Sequence, residues 1–277
     1  MTGSEVLRIS VVIRTRDRER HFDSLLRSLS VQTVLPSELV VVDNYSNVEQ
    51  RDSFRKHLIE QSRNVLTDSM VKVKLVAISD DEFSHAYSTN IGVAASDEEL
   101  ICITNGHSLP ISASWLEQGA RHFTDPQVAG VSGYFYPHHR SSIFTKLDCT
   151  LYQFSERLIL RQDWCSTINS MIRKPLWEVC PFDENLLSII QGTRKYGLED
   201  YDWSKEMIAR SFKIIIDPAF SVYHSHGNSL KETVRNVKGY FVYRKLQKKI
   251  NSLERPKASY SKVLERGQKH FALEVIV

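Results

Sequence analysis

The chain has 277 residues, a formal net charge of +3, 42% hydrophobic residues and 25% charged residues. This composition is that of a globular protein, and it excludes a disordered chain, a collagen-like chain and a small disulfide-stapled scaffold. The four cysteines form no Cys-x-x-Cys pair, and no run approaches the ~18 apolar residues that a membrane span needs. We therefore expect a cytoplasmic protein without a signal peptide, whose contact with a membrane is peripheral at most.

Positive charge is concentrated at the C-terminal end of the chain. Residues 231–277 contain twelve Lys and Arg against four Asp and Glu, so this segment carries +8 and the rest of the chain −5. Within it, 240–250 has aromatic and basic residues at helical spacing. This pattern fits a helix that packs on the main domain, rests on an anionic membrane surface or forms a homodimer. No nucleic-acid-binding motif accompanies it, so no nucleic-acid partner is expected.

Apolar runs and helical patterns alternate in the first 105 residues. The patterns predict strands over 7–13, 38–42, 71–78 and 99–104, and helices over 22–29, 54–61 and 87–95. Because these strands are too apolar to have a solvated face, we predict an α/β fold with a mainly parallel sheet covered by helices on both sides. Ligands of such sheets bind beyond the C-terminal ends of the strands, which here are the loops 14–17, 43–47, 80–85 and 105–110.

The second half carries two further clusters of reactive side chains. Further strands are predicted over 128–133, 213–216 and 220–223. Glu199 and Asp200 stand at the start of a predicted helix over 202–210, where a carboxylate either caps the helix or is kept ionised as a base. His224 and His226 follow a short strand, and histidines at this spacing ligate a metal, hold a phosphate or fill a core turn. The arginine-rich loop 14–20 fits a pyrophosphate site or a solvated turn.

The order of these blocks is more specific than any single one. The chain contains SVVIRTRDR, SLLRSLSVQT, ELVVVDNYSN, FSHAYSTNIGVAAS, ELICITNGHSLPISASWLE, PFDE, GLEDYDW and VYHSH, in that order, over about residues 7–228. This arrangement resembles the family-2 glycosyltransferases of the GT-A fold, in particular the rhamnosyltransferase-like branch of bacterial surface-polysaccharide synthesis. The resemblance implies a GT-A domain over 1–230, with a nucleotide-binding half (1–110) and an acceptor and catalytic half (111–230). A basic helical extension (231–277) follows.

The resemblance also implies an activity. It predicts an inverting enzyme that moves a sugar from a nucleotide diphosphate sugar to a hydroxyl of a glycan or lipid-linked saccharide. It implies that Asp200, with Glu199, supplies the catalytic base, that Trp203 anchors the helix and shapes the acceptor site, and that His224 completes a metal shell, with His226 as the second candidate. It places the nucleotide and the donor sugar against Thr15, Arg16, Asp17, Asp43, His85, Asn90, Gly92, Asn105, Gly106 and His107.

At one point the chain departs from the family pattern. The tripeptide Asn-Gly-His at 105–107 stands where the family has an Asp-x-Asp metal-binding motif. Replacing two carboxylates by an amide and an imidazole removes the oxygen ligands that Mn²⁺ or Mg²⁺ prefers.

Three interpretations follow from this departure. A divalent metal binds weakly through His107, His224 and the diphosphate; the leaving group is stabilised without metal by Arg14, Arg16 or Arg194; or the chain is a catalytically silent nucleotide-sugar-binding scaffold. A nucleotidyltransferase is disfavoured, since no Gly-rich, Lys-bearing phosphate loop follows the first strand.

Overall fold

The computed structural model describes residues 8–66, 71–154, 164–193, 197–227, 229–254 and 274–275. The helices are α1 (Phe22–Ser30), α2 (Val48–Val65), α3 (His85–Ala95), α4 (Trp115–Ala120), α5 (Ile143–Phe154), α6 (Lys174–Val179), α7 (Leu186–Ile189), α8 (Glu199–Ala209) and α9 (Leu230–Asn251). The strands are β1 (Ile9–Thr15), β2 (Glu38–Tyr45), β3 (Lys72–Ser79), β4 (Leu100–Asn105), β5 (Leu109–Pro110), β6 (Val128–Ser132), β7 (Phe135–Tyr136), β8 (Asn169–Arg173), β9 (Lys213–Ile216), β10 (Val222–Tyr223) and β11 (Glu274–Val275).

The central sheet has eight strands in the order β11-β3-β2-β1-β4-β8-β6-β9. The first four strands of the chain pair in parallel, and β6 pairs in parallel with β9. β8 runs antiparallel to β4 and β6, and β11 runs antiparallel to β3. The sheet is therefore mainly parallel, which confirms the predicted α/β class. The sequence pattern does not predict β8.

Two apolar layers cover the sheet, because successive side chains of a strand point to opposite faces. Val11 and Leu39 pack in the layer with α1, α2 and α4, whereas Val12 and Val40 pack in the layer with α3, α6 and α8. A Cβ on Gly92 of α3 would lie 2.4 Å from Val12 Cγ1. Only glycine therefore allows α3 to lie this close to the sheet. This corrects the expectation that Gly92 surrounds the donor.

Several elements extend beyond their predicted bounds, and side-chain caps explain three of them. β2 continues to Tyr45, so Asp43 lies inside a strand rather than in a loop. Asn47 and Ser84 each accept a hydrogen bond from a backbone N–H in the first turn, which starts α2 at Val48 and α3 at His85. Ser229 forms a capping box that starts α9 ten residues earlier than predicted.

The C-terminal helix α9 is the predicted basic helix, and it packs against the rest of the chain. Its Leu246 and Ile250 join an apolar cluster with Leu186 and Leu198. Asp148 of α5 also holds it, as described below. Among the described helices, none is long and apolar enough to cross a bilayer. Residues 255–273 of the basic extension lie outside the described part of the chain.

Candidate active site

A cleft of about 390 Å³ opens where β1, β2 and β4 end. Its lining includes ten of the residues that the sequence placed at a site, namely Arg14, Thr15, Arg16, His85, Asn105, His107, Glu199, Asp200, His224 and His226. It also includes Glu19, Tyr152, Trp164, Thr167 and Tyr243. The cleft therefore lies at the sheet edge that the strand directions predict. Arg194, a candidate for the leaving group, lies outside the described residues.

The loop after β1 is tied to the end of β2 through Asp17. Asp17 has a positive φ of 47°, and its N–H donates to Asp43 Oδ1 at 3.1 Å. Its own Oδ1 accepts the Ser46 N–H at 2.8 Å. Burial and the nearby Asp17 charge raise the pKa of Asp43 to about 7. Neither carboxylate lines the cleft, so both lie just behind Thr15 and Asn44, which do.

Arg16 and His85 both line the cleft. Arg16 is exposed and its Nη2 lies 2.8 Å from Asp80 Oδ2. Because an exposed pair of this kind contributes at most about 1 kcal/mol, Arg16 is free to exchange this partner for an anionic ligand. Burial lowers the pKa of His85 to about 4, so its imidazole is neutral at pH 7.

Arg14 forms the floor of the cleft. Its guanidinium donates to Thr89 Oγ1 at 3.0 Å, to Asn105 Oδ1 at 2.9 Å and to the Thr167 carbonyl at 2.8 Å. The β1–β4 register, which pairs Arg14 with Asn105, brings these groups together. Arg14 is therefore a fixed positive charge beside the acidic pair. The amide of Asn105 is engaged by this arginine.

The acidic pair begins α8 and is buried. Asp200 Oδ2 accepts the Thr167 N–H at 3.1 Å, and Asp200 Oδ1 accepts the Tyr201 N–H at 2.7 Å. Glu199 Oε1 accepts the Thr167 hydroxyl at 3.3 Å. Burial, followed by the charge of Glu199, raises the pKa of Asp200 to about 7. Burial also raises the pKa of Glu199, against the opposing effect of Arg14.

The turn into α8 is strained. Leu198 has φ +80°, a left-handed conformation that costs a non-glycine residue roughly 1–3 kcal/mol, and Gly197 before it has φ +73°. A Cβ on Gly197 would lie 2.9 Å from Glu199 Oε2. The turn therefore needs glycine at 197. This turn directs the carboxylates of Glu199 and Asp200 to the cleft.

Three histidines converge at one end of the cleft. The ligand atoms of His107, His224 and His226 all lie within 4.8 Å of one another. A second, three-stranded sheet in the order β5-β10-β7 produces this cluster, because β10 pairs with β5 and so brings the segment after β10 beside the loop after β4. Burial, followed by the imidazoles of His107 and His226, lowers the pKa of His224 well below 6.5. The predicted metal candidates are thus neighbours.

Two more side chains orient these rings. His224 Nδ1 lies 3.0 Å from Ser108 Oγ. His107 Nδ1 lies 2.8 Å from Glu19 Oε2 in an ion-pair contact, and neither Glu19 Oε2 nor the buried His107 Nε2 has a hydrogen-bond partner within the described residues. A Cβ on Gly106 would lie 2.8 Å from Glu19 Oε2, so glycine is what allows Glu19 to approach this loop.

Like Asp17 and Asp43, Asn90 and Trp203 do not line the cleft, and we correct their placement. Asn90 is fully buried: its side-chain oxygen accepts from Trp177 Nε1 at 2.9 Å, and its Nδ2 donates to the Phe182 carbonyl at 2.8 Å and to Glu184 Oε1 at 2.9 Å. It holds the loop after α6 rather than the donor. Trp203 is buried in the core beside Phe182 and acts on the cleft only through the position of α8.

Glu19 and Thr167 are the site residues that the sequence pattern does not reveal. Glu19 stands in a run of charged residues and looks like one of many solvated side chains. Thr167 contributes its carbonyl, its N–H and its hydroxyl to the floor of the cleft, and two of these are backbone groups. For Glu19, the sequence signal is the glycine at 106, which indicates that another group approaches the backbone there but does not identify that group.

With this geometry established, comparison with known proteins identifies the fold. The mannosyltransferase PcManGT from Pyrobaculum calidifontis, solved in complex with GDP-Man and Mn²⁺, matches with a TM-score of 0.59 at 15% identity, over 95% of this chain and 74% of that one. The chain has the GT-A glycosyltransferase fold. A second GT-A structure, S. aureus TarS, matches with a TM-score of 0.53 at 15% identity, over 95% of this chain and 43% of that one.

Two further comparisons bear on the resemblance. Glucosyl-3-phosphoglycerate synthase from Mycobacterium tuberculosis, solved with Mn²⁺, UDP-Glc and phosphoglyceric acid, matches with a TM-score of 0.51 at 15% identity, over 85% of this chain and 79% of that one. The O-antigen chain rhamnosyltransferase RfbN from Salmonella typhimurium is 19% identical over 232 residues, which are 82% of this chain and 69% of RfbN. No family profile matches the chain. The GT-A resemblance drawn from the sequence is confirmed for the fold.

Proposed function

We propose that the protein is an inverting family-2 glycosyltransferase of bacterial surface-polysaccharide synthesis. It would move a sugar from a nucleotide diphosphate sugar to a hydroxyl of a glycan or lipid-linked saccharide. The observation that carries the proposal is the buried pair Glu199 and Asp200, which shares one cleft with the C-terminal ends of β1, β2 and β4 in a GT-A sheet. Similarity to a rhamnosyltransferase of O-antigen synthesis supports the substrate class.

Asp200 is the base in this proposal. An acceptor hydroxyl has a pKa far above 7, so it attacks only if a positioned group accepts its proton as the bond forms. A carboxylate whose pKa is raised to about 7 is a stronger base than an exposed one. The acceptor oxygen bonds to the anomeric carbon, the bond from that carbon to the phosphate oxygen breaks, and Asp200 keeps the proton. A single displacement inverts the anomeric carbon.

The two halves of the cleft divide the substrates. We assign the nucleotide and diphosphate to residues 1–110, where Thr15, Arg16 and the Asp17–Asp43 pair follow β1 and β2. The acceptor belongs to 111–230, with Tyr243 of the extension 231–277 beside it. Trp164 and Tyr152 contribute aromatic rings to the lining of the cleft.

A divalent metal fits the histidine end of the cleft. The fit rests on the buried, unpartnered His107 Nε2 beside His224 and His226, while Asn105 is engaged by Arg14. These three imidazoles would hold the ion, which when bound adds positive charge next to the departing diphosphate. Arg14 and Arg16 provide the protein's own positive charge on the other side. Two of the similar structures were solved with Mn²⁺, which supports a divalent metal as a cofactor.

An apolar and basic surface supports peripheral membrane contact. Ile143, Leu147, Leu151 and Phe154 form an exposed stripe along α5, and Ile143 is 75% exposed. Asp148 on the opposite side of α5 bonds Asn236 and Tyr240 of α9. Because α9 carries seven Lys and Arg against one Glu, the pair of helices fits an anionic lipid surface. Tyr152 and Tyr243 of the same helices line the cleft, so an acceptor anchored in that surface would lie near it.

The test of the proposal separates binding from turnover. The purified chain is screened with nucleoside diphosphates and nucleotide sugars by thermal shift, since a ligand of the native state raises Tm. The stabilising donor is then assayed for transfer. We expect Asp200→Asn to lower kcat by at least about 100-fold while the nucleotide shift stays within a few-fold in Kd.

Glu206→Gln is the matched control, because Glu206 lies on the same helix and pairs with Arg210 away from the cleft. It should leave turnover unchanged. Unimpaired turnover by Asp200→Asn refutes the base. A nucleotide shift without transfer by the parent chain identifies the silent scaffold instead.

A further inference from the structure

The three-histidine cluster has a geometry that a transition-metal ion can close. The ring centroids of His107 and His224 lie 4.4 Å apart, those of His107 and His226 5.0 Å apart, and those of His224 and His226 4.9 Å apart. A tetrahedral ion with nitrogen ligands at about 2.1 Å holds those nitrogens about 3.4 Å apart. Ligand atoms that already lie within 4.8 Å of one another need only small side-chain rotations to reach this spacing.

In both His107 and His224, a neighbouring side chain contacts Nδ1, which leaves Nε2 as the atom that would bind a metal. Ser108 Oγ hydrogen-bonds Nδ1 of His224, and Glu19 Oε2 lies 2.8 Å from Nδ1 of His107 in an ion-pair contact without hydrogen-bond geometry. Both rings therefore keep Nε2 for another partner, and in His107 that atom is buried and unpartnered among the described residues. Carboxylate and hydroxyl groups behind ligating histidines are the usual means of fixing their tautomer and orientation. A hydrogen-bonded core histidine would not leave this atom unpaired.

The donor set determines which ions suit the cluster. Mg²⁺ requires oxygen ligands in a near-octahedral arrangement, and three imidazoles offer none. Zn²⁺, Co²⁺ and Ni²⁺ bind imidazole well, and Mn²⁺ stands lowest in the affinity order of divalent first-row metals. The substitution of the Asp-x-Asp motif by Asn-Gly-His therefore changes which metal ions the site prefers as well as its affinity for them.

We infer that His107, His224 and His226 bind an imidazole-preferring divalent ion of the zinc and cobalt class in preference to Mg²⁺, and that Glu19 is the positioning residue for His107. The part of this inference that concerns the diphosphate rests on the proposed function. The binding of the ion does not, because it is measured without donor or turnover.

The test uses the full chain after treatment with a chelator and dialysis. Zn²⁺, Co²⁺, Mn²⁺ and Mg²⁺ are titrated separately by calorimetry, and Co²⁺ is also followed by its visible absorption, which reports coordination number. We expect one Co²⁺ or Zn²⁺ per chain, with a four- or five-coordinate Co²⁺ spectrum, and Mg²⁺ binding at least about 100-fold weaker. Failure of Zn²⁺ and Co²⁺ to bind, or binding of Mg²⁺ with equal affinity, overturns the inference.

Variants locate the ion. His224→Ala and His226→Ala should each lose the Co²⁺ spectrum, whereas His122→Ala, which removes a histidine paired with Asp217 on another surface, should keep it. Glu19→Gln should weaken Co²⁺ about 10- to 100-fold and alter its spectrum at an unchanged apo Tm, and Glu19→Asp should restore part of the affinity. An unaltered spectrum in His224→Ala places the ion elsewhere and overturns the site. An unaltered spectrum and affinity in Glu19→Gln overturn the positioning role.

Nucleotide binding serves as the separate check on the proposed function. The nucleotide thermal shift is repeated on the metal-free chain. A nucleotide shift without metal binding contradicts only the inference, whereas metal binding with no shift by any nucleotide contradicts only the proposed function.

Discussion

Asp43→Asn is the substitution whose effect can be worked out most directly from the structure. The Asp43 side chain is 1% exposed at the end of β2. Its Oδ1 accepts the Asp17 N–H, and its Oδ2 has no partner among the described residues. An asparagine keeps the accepting oxygen and removes the buried charge. The nucleotide interaction proposed for Asp43 would supply the missing partner of Oδ2.

The magnitude follows from the pKa of Asp43. Burial raises it from 3.8 to about 7 in the folded chain. A raised folded-state pKa means that the folded chain holds its proton while the unfolded chain has already released it. The contribution of Asp43 to the free energy of unfolding is therefore fully present below about pH 4 and is lost as the pH rises through about 7. Roughly three pKa units correspond to about 4 kcal/mol. Above pH 7, Asp43→Asn should therefore be more stable than the parent by up to about 4 kcal/mol.

The assay is urea unfolding of parent and variant at pH 4.5 and pH 8. At each pH, the difference in unfolding free energy between the variant and the parent reports the effect of Asp43 alone, because the histidines titrate equally in both chains. We expect a small difference at pH 4.5 and a variant more stable by roughly 2–4 kcal/mol at pH 8, because the unpaired amide nitrogen keeps part of the cost. Asp52→Asn, which removes an exposed carboxylate paired with Arg51, should show no such pH dependence.

Two results would refute this reasoning. An Asp43→Asn variant destabilised at pH 8 would show that the charge has a stabilising partner in the folded chain. A variant that gains stability and also keeps the full nucleotide thermal shift would leave Asp43 without a part in donor binding.

Three further predictions concern other parts of the site. kcat/KM should fall as the pH drops below about 7, where Asp200 gains its proton. Glu199→Gln should move this fall in kcat/KM to lower pH, because the Glu199 charge helps to raise the Asp200 pKa; a fall at the same pH contradicts the interaction between the two carboxylates. Asn90→Ala should lower the free energy of unfolding in urea by about 2–4 kcal/mol, because it removes the acceptor of Trp177 Nε1 and the donor to the Phe182 carbonyl, and it should leave the nucleotide Kd unchanged; a weaker Kd would return Asn90 to the donor site. Leu147→Glu should reduce co-sedimentation with phosphatidylglycerol vesicles at least several-fold without changing the oligomeric state; a change in oligomeric state instead identifies a dimer interface.

The sheet was predictable because its strands are buried on both faces. Continuous apolar runs such as 38–42 leave little choice between strand and loop, and the C-terminal ends of parallel strands identify the edge where ligands bind. Glu199, Asp200, His224 and His226 were predictable as a set because reactive residue types cluster at element ends. The order of the blocks, more than any one of them, indicated GT-A.

The failures share a physical cause, namely pairing over long sequence separations. Asn90 looks like a donor ligand in sequence, yet its partners Phe182 and Glu184 come more than ninety residues later. β8 is antiparallel and lies between β4 and β6, so no local period identifies its neighbours. Glu19 acquires its position beside His107 only after β1 and β4 pair. A local pattern contains none of these contacts.

The structure also gives a physical account of the altered motif. The Arg14 guanidinium donates a hydrogen bond to Asn105 Oδ1 at 2.9 Å, so residue 105 is part of the floor of the cleft. An aspartate at this position would contact the same guanidinium. The neutral amide leaves the positive charge of Arg14 to interact with Glu199, Asp200 and Glu19, and this charge opposes the rise in the pKa of Glu199 and Asp200. With an aspartate at 105, part of that charge would be neutralised, and the pKa of Asp200 would rise further. In the proposed reaction, Asn105 therefore keeps Asp200 available as a base near pH 7, and the metal that we infer would be held by the histidines at the other end of the loop.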